Sequence, residues 1–297
     1  MRKETLTQDY STDTVYDIEG FPVYIRCTDL CSYPQGRTTL HWHEDVEFLV
    51  ALNGSMQCSV DGKVQEIHTG EGLFINARQP HISCVENNRQ CRFLLIQIQP
   101  VYFESLPAIK EKYINQIVEN AALPCLILKP QVLWQKEILM KLESVLAWYD
   151  SPAAPLRIMS AFSEVWALLY ENTGSYSWKR EVEPGLVIMQ NMIGYIQHNY
   201  RKKISLQDIA DAGGVSISKC CSLFASSYGL SPINYLLEYR LSESAYQLRN
   251  SSETVTEIAL THGFSDSNYF ARCFRKWSGK TPTVYRREET EQRLLHT

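Results

Sequence analysis

The chain has 297 residues, 44% of them hydrophobic and 21% charged, with a formal net charge of −4; this is the make-up of a soluble globular protein long enough for two separate cores. The longest apolar runs, such as Phe93 to Ile98, are too short to span a bilayer, and the polar start Met1-Arg2-Lys3-Glu4-Thr5 has no apolar signal core, so no membrane partner is expected and the cytoplasm is. Charge is divided unevenly: residues 184–287 hold twelve Lys and Arg against seven Asp and Glu, while residues 1–183 carry −7, as a nucleic-acid-binding module joined to something else would.

In chain order, residues 1–20 are polar and read as an arm. From Phe21 to Pro100 short runs rich in Val, Ile, Phe and Leu alternate with the turn signals Asn53-Gly54, Asp61-Gly62 and Gly70-Glu71-Gly72. Residues 46–50, 55–60 and 64–67 are expected strands. Asp61-Gly62 is a two-residue hairpin turn between two of them, because such a turn requires positive φ. Close-spaced strands of this kind predict a small antiparallel barrel or sandwich. After Pro100 the period becomes helical: Val132, Ile138, Leu139, Leu142, Val145 and Leu146, then Ile158, Phe162, Val165, Trp166 and Leu169. Two helices joined near Ser151-Pro152 should pack on the barrel and offer a face for a homodimer. Residues 173–185, with their Gly, Ser and Pro, are the expected linker. The nine cysteines are odd in number and contain no CxxC, which predicts reduced, partly buried thiols; a redox role for the vicinal pair Cys220-Cys221 has little behind it.

The last third contains a duplication. Ile209-Ala210, Gly214-Val215-Ser216, Phe224, Gly229 and Ser231-Pro232 recur as Ile258-Ala259, Gly263-Phe264-Ser265, Phe274, Gly279 and Thr281-Pro282, at an offset of 49 that becomes 50 by the phenylalanine. Each repeat predicts a first helix ended by glycine in a left-handed conformation. A second helix follows, capped by Ser216 or Ser265 and ended by Gly229 or Gly279. A third starts with Ser or Thr followed by proline. A helix, a glycine turn and a second helix is the helix-turn-helix layout. The expected units span about 204–227 and 254–277 within a domain of residues 186–297.

Residues Gly263-Phe264-Ser265-Asp266-Ser267-Asn268-Tyr269-Phe270, Arg272, Phe274-Arg275-Lys276, Gly279-Lys280-Thr281-Pro282 and Tyr285-Arg286 closely resemble the signature of the AraC/XylS family of bacterial transcription regulators. The resemblance covers about 105 residues and includes a linking helix with Asn234-Tyr235-Leu236-Leu237, Arg240-Leu241, Ala245 and Leu248. It implies double-stranded promoter DNA and RNA polymerase as partners, with two recognition helices reading major-groove faces about 10 base pairs apart. On the second, Asn268 and Arg272 lie one turn apart on one face beside Tyr269; Arg272 suits guanine and Asn268 adenine. The matching positions on the first are Ser218 and Ser222, flanked by Lys219 and Cys221, a chemically poorer face. Lys219, Arg240, Arg275, Lys276 and Lys280 are the expected phosphate contacts.

Residues His41-Trp42-His43, Glu47 and Gly54, followed by Gly70-Glu71-Gly72 and Pro80-His81, resemble the two cupin motifs over about residues 21–100. The resemblance implies a β-barrel in which His41, His43, Glu47 and His81 surround one centre. Such a set suits a divalent Zn, Ni, Mn or Fe ion, or hydrogen bonds to a small polar effector. The expected fold class is therefore α+β: a cupin-like barrel with a helical hairpin in residues 1–172 (barrel about 21–100, helices about 101–172), then an all-α domain with two helix-turn-helix motifs. The expected function is DNA-binding transcription regulation, not catalysis, controlled by a small effector such as a sugar or related metabolite. The rivals are a metal-dependent cupin enzyme fused to a DNA-binding module, and an adaptor that no longer binds DNA.

Overall fold

The structure is a computed structural model that describes residues 5–6, 12–13, 21–85, 90–100, 107–149, 151–173 and 184–294. Of the expected N-terminal arm, Thr5–Leu6 (β1) and Thr12–Asp13 (β2) are described and pair antiparallel; the rest lies outside the described residues. The expected linker falls largely there too, at residues 174–183. The chain divides into two compact units, Met1–Val187 and Ile188–Thr297.

In the first unit, seven apolar runs become strands: Val23–Asp29 (β3), Val46–Asn53 (β4), Ser55–Val60 (β5), Lys63–His68 (β6), Gly72–Ile75 (β7), His81–Cys84 (β8) and Arg92–Ile98 (β9). An eighth, Cys125–Leu128 (β10), was not foreseen: the segment after Pro100 reads as helical throughout, yet these four residues pair antiparallel with β7. Four residues are too few to show a period, and their apolar side chains serve a sheet edge as well as a helix face. The strands form two antiparallel sheets, in the orders β10-β7-β4-β9-β3 and β6-β5-β8. Asp61 and Gly62 have φ of 48° and 75°, as the β5–β6 hairpin requires.

Alternation along the larger sheet explains why β4 and β9 are apolar almost throughout. Val46, Phe48, Val50, Phe74, Leu94, Ile96 and Ile98 pack against helices, whereas Leu49, Ala51, Leu73, Ile75 and Phe93 face the barrel interior with Met56, Cys58 and Ile67. Both faces of the sheet are covered, so both phases of the alternation must be apolar. The helices on the outer face are a short run from Pro107–Ile109 (α1) through a π-helical turn at Lys110–Ile114 to Asn115–Val118 (α2), and then the hairpin Leu133–Trp148 (α3) and Ala154–Thr173 (α4). Val132 is the N-cap residue rather than part of α3. Ile138, Leu139, Leu142, Val145, Ile158, Phe162, Val165 and Leu169 point to the sheet as their spacing predicts, with Phe162 and Phe48 ring centroids 5.8 Å apart.

The second unit is helical: Pro184–Asn199 (α5, whose first turn belongs to the first unit), Leu206–Ala212 (α6), Ile217–Tyr228 (α7), Pro232–Asn250 (α8), Val255–Thr261 (α9), Ser267–Ser278 (α10) and Pro282–Leu294 (α11). The repeat is visible in its caps. Ser205 with Asp208 and Thr254 with Glu257 form reciprocal capping boxes at the starts of α6 and α9. Ser216 caps α7 as expected, but Ser265 does not cap α10: Asp266 does, its carboxylate accepting from Tyr269 N at 2.7 Å. A carboxylate is the stronger acceptor at a helix N-terminus and is favoured by the dipole. The second turn is thus one residue longer, which is where the offset of 49 becomes 50.

Candidate functional site

Two groups of side chains carry the chemistry, one in each unit. On α10 the buried stripe is Phe270, Phe274 and Trp277, which packs with Phe264, Ile258 and Tyr285. The opposite face is polar: Asn268, Tyr269, Arg272, Arg275 and Lys276 are all exposed, and Lys280 beyond the C-cap is too. A fixed apolar stripe therefore presents Asn268 and Arg272 together, one turn apart. On α7 the equivalent buried positions are Cys220 and Phe224, and the opposite face carries the exposed Ser218, Lys219 and Ser222 with half-buried Cys221. Cys220 fills the place that Phe270 fills in the second repeat, which answers the vicinal pair: one thiol is core, its neighbour borders the outward face. All nine cysteines are free thiols.

Arg240 departs from the expected phosphate-contact set. It lies on α8, half-buried, and its guanidinium is turned inward, with Nε donating to the Tyr200 carbonyl at 2.7 Å and Nη2 to the Lys202 carbonyl at 2.7 Å. Sequence position alone places a basic residue on a helix; it does not say which backbone carbonyls packing brings within reach, and here there are two.

In the barrel, His41, His43, Glu47 and His81 come together as expected, with one possible ligand atom from each lying within 4.8 Å of the others. The segment before β4 runs beside β8, with an antiparallel bridge between His41 and His81, and their rings are 4.3 Å apart between centroids. Glu47 shares the inward face of Leu49 and Ala51. Each imidazole is oriented by its own neighbourhood: the Nδ1 atoms donate to the carbonyls of Thr39 at 2.8 Å, Asp45 at 3.0 Å and Gln79 at 2.8 Å respectively. A carbonyl only accepts, so Nδ1 carries hydrogen in all three and Nε2 is the atom turned to the centre. Glu47 Oε2 lies 3.2 Å from His43 Nε2 and 3.5 Å from His81 Nε2. Among the described residues, buried His81 Nε2 has no hydrogen-bond partner.

Sequence reasoning missed Gln97. It pairs across the sheet with Glu47, and its Nε2 donates to Glu47 Oε2 at 2.8 Å and lies 3.1 Å from His43 Nε2. A signal existed: Gln97 is the one polar residue in the apolar run Phe93 to Ile98. Burial disfavours charge on all these groups, but the balance differs. His43 is raised to about 9, because the Glu47 hydrogen bond and charge outweigh burial. Glu47 is held well below the usual carboxylate range against its own burial by His81 and His43. His41, with burial first and the two neighbouring imidazoles next, falls to about 3. The donor set fits a divalent ion: three Nε2 atoms pre-aimed by carbonyls, one carboxylate, and an orphaned nitrogen. His41 is the least buried of the four. A cleft of about 390 Å³ opens at the neighbouring edge of the fold, with Glu44, Arg78, Lys110 and Glu119 on its walls; Arg78 N donates to the His43 carbonyl at 2.8 Å, so its rim is tied to the cluster.

Known proteins share both halves. A helix-turn-helix domain family matches residues 209–288, and a cupin domain family matches residues 30–97. The chain is 26% identical to the HTH-type transcriptional regulator YdeC of Bacillus subtilis over 97% of this chain and 99% of that one. It is 25% identical to the melibiose operon regulatory protein of Escherichia coli over 88% and 87% of the two chains. Among solved structures, an apo ToxT variant from Vibrio cholerae shares the fold with a TM-score of 0.52 at 13% identity, over 89% of this chain and 96% of that one. Among the described residues no helix is long and apolar enough to cross a membrane.

Proposed function

We propose that this chain, an AraC-type transcription regulator with a cupin-like N-terminal domain, reads promoter DNA chiefly through α10 and is controlled by a small effector bound at the histidine end of its barrel. One observation carries the first part: Asn268 and Arg272 stand together on the exposed face of a helix whose other face is locked by Phe270 and Phe274. That pair can read adenine and guanine edges in the major groove. Lys219, Arg275, Lys276 and Lys280 supply phosphate contacts that position the protein without specifying sequence. Ser218, Lys219, Cys221 and Ser222 make α7 the weaker reader.

In the barrel, His41, His43, Glu47 and His81 would hold one divalent ion of the Zn, Ni, Mn or Fe class, with Gln97 fixing the Glu47 carboxylate. The ion would offer a Lewis-acidic anchor for an oxygen of the effector. The effector itself would be a small polar metabolite; a relative named for the melibiose operon makes a sugar the first class to try. Its binding would favour one arrangement of a cytoplasmic homodimer and so change DNA occupancy and contact with RNA polymerase. Residues 1–172 form the sensing and dimerising part, 173–185 the linker and 186–297 the DNA-binding part. Regulation rather than catalysis is the reading, since relatives over nearly the whole chain are named as transcriptional regulators.

The test is selection of genomic fragments by the purified chain beside an Arg272→Ala variant at one fixed salt concentration. Enrichment of fragments sharing a two-part site, relaxed at one base position in the variant, is the expected result. Uniform weak recovery with no difference between the proteins would overturn the DNA reading and return attention to the barrel as an enzyme.

A further inference from the structure

Arg240 sits where three parts of the second unit meet. Its side chain leaves α8, the helix between the two helix-turn-helix motifs, and grips the carbonyls of Tyr200 and Lys202, which lead from α5 into the first helix-turn-helix motif (motif one). On its other side lies the turn of the second helix-turn-helix motif (motif two). A Cβ placed on Gly263, whose φ is +79°, would stand 2.6 Å from the Tyr200 carbonyl oxygen and 2.8 Å from Arg240 Nη2. The turn of motif two therefore rests directly on the clamp and on the chain end that opens motif one. Two donors of one planar group thus join the start of motif one to the linking helix, and the turn of motif two packs against that joint. A lysine could satisfy one carbonyl but lacks the fork to hold both.

A second arginine does part of the same work further along. Arg286 on α11 donates through Nη2 to the Glu253 carbonyl at 2.6 Å and through Nε to the Leu248 carbonyl at 3.2 Å. These carbonyls flank the passage from α8 into α9, as those of Tyr200 and Lys202 flank the passage from α5 into α6. Arg286 thus serves the second helix-turn-helix motif, whereas Arg240 binds the chain that opens the first and packs against the turn of the second.

We infer that Arg240 is a positioning residue that fixes the separation of α7 and α10, and through it the spacing at which the two halves of a DNA site are read. The second clause rests on the DNA-binding reading above; the first does not. A rigid separation matters because the two helices must meet successive major-groove faces, and DNA holds those faces roughly one helical turn apart. A loose hinge would pay an ordering cost at each binding event.

The experiment uses the full chain as wild type, Arg240→Met and Arg240→Lys, each first shown to be folded by circular dichroism. Spin labels carried by genetically encoded amino acids at Ser226 and Lys276, equivalent exposed sites on α7 and α10, report the helix–helix distance distribution. A randomised duplex library then reports the separations between selected half-sites. The expected result is a narrow distance distribution in wild type that broadens in Arg240→Met, with Arg240→Lys between them. Selected half-site separations should spread by a base pair or more, and affinity for the wild-type spacing should fall about tenfold. Equal distance widths in all three proteins would overturn the clamp. Broadened distances with one unchanged half-site separation would overturn its role in spacing. Failure of wild type to select any two-part site would count against the DNA reading, while the distance measurement would still decide the clamp. If Arg240→Met does not fold, the comparison of wild type with Arg240→Lys decides.

Discussion

Replacing Phe270 by alanine tests whether the aromatic stripe is what presents the polar face of α10. Phe270 is fully buried, with ring centroids 4.9 Å from Phe264 and 5.4 Å from Phe274. Its neighbours belong to three other elements, including Ile258 on α9 and Leu241 on α8, so they cannot all move inward to fill the space. Such a truncation loses both the transfer free energy and the cavity contacts, about 3–5 kcal/mol. A domain of this size has about 5–15 kcal/mol of stability in total. The melting temperature of the helical unit should fall by roughly 12–40 °C, at about 4–8 °C per kcal/mol. Cys220→Ala at the equivalent position of the first repeat removes a single sulfur and should cost about 1 kcal/mol. Calorimetry of the full chain, with ellipticity at a helical wavelength recorded in parallel, separates the two. A Phe270→Ala transition within a few degrees of wild type, or one shifted no more than that of Cys220→Ala, would refute the reasoning.

The capping carboxylates Asp208, Glu257 and Asp266 are all held below their ordinary values by hydrogen bonds from Ser205, Thr254 and Tyr269 respectively. A depressed carboxylate stabilises the fold above its unfolded pKa and loses that contribution as pH falls through its folded value. Urea midpoints measured at pH 7 and pH 3 should therefore converge in Asp266→Asn, which keeps a cap acceptor without a titrating group, relative to wild type; an equal loss in both proteins would contradict this. After chelation and reloading with zinc, the chain should retain about one equivalent by elemental analysis. His81→Ala and Glu47→Gln should lose it, whereas His68→Ala, at an exposed strand end, should not; unchanged metal content in the first two would remove the metal site. Once a binding site is in hand, Lys276→Ala should reduce the log–log salt slope of affinity by about 0.9 without changing base preference, and a change of preference would mean Lys276 reads bases.

Whatever depends on neighbours within a few residues is legible along the chain. Ser205 and Thr254 announce helix starts because their oxygens reach amides three residues on. Gly214 and Gly263, with φ of +65° and +79°, announce turns because side chains disfavour that conformation. His41 and His43, two apart, announce a shared centre. The duplication was readable for the same reason, since each repeat restates one local grammar. Matters that depend on which distant atoms arrive are settled by packing. Cys125–Leu128 became a strand because the edge of β7 was unpaired beside it. Gln97 joined Glu47 through a cross-strand register that no local period encodes. Arg240 turned inward because the carbonyls of Tyr200 and Lys202, about forty positions earlier in the chain, were brought within 2.7 Å of it. Local backbone preferences are written residue by residue, whereas hydrogen-bond partners far apart in the chain are settled only when packing has placed them.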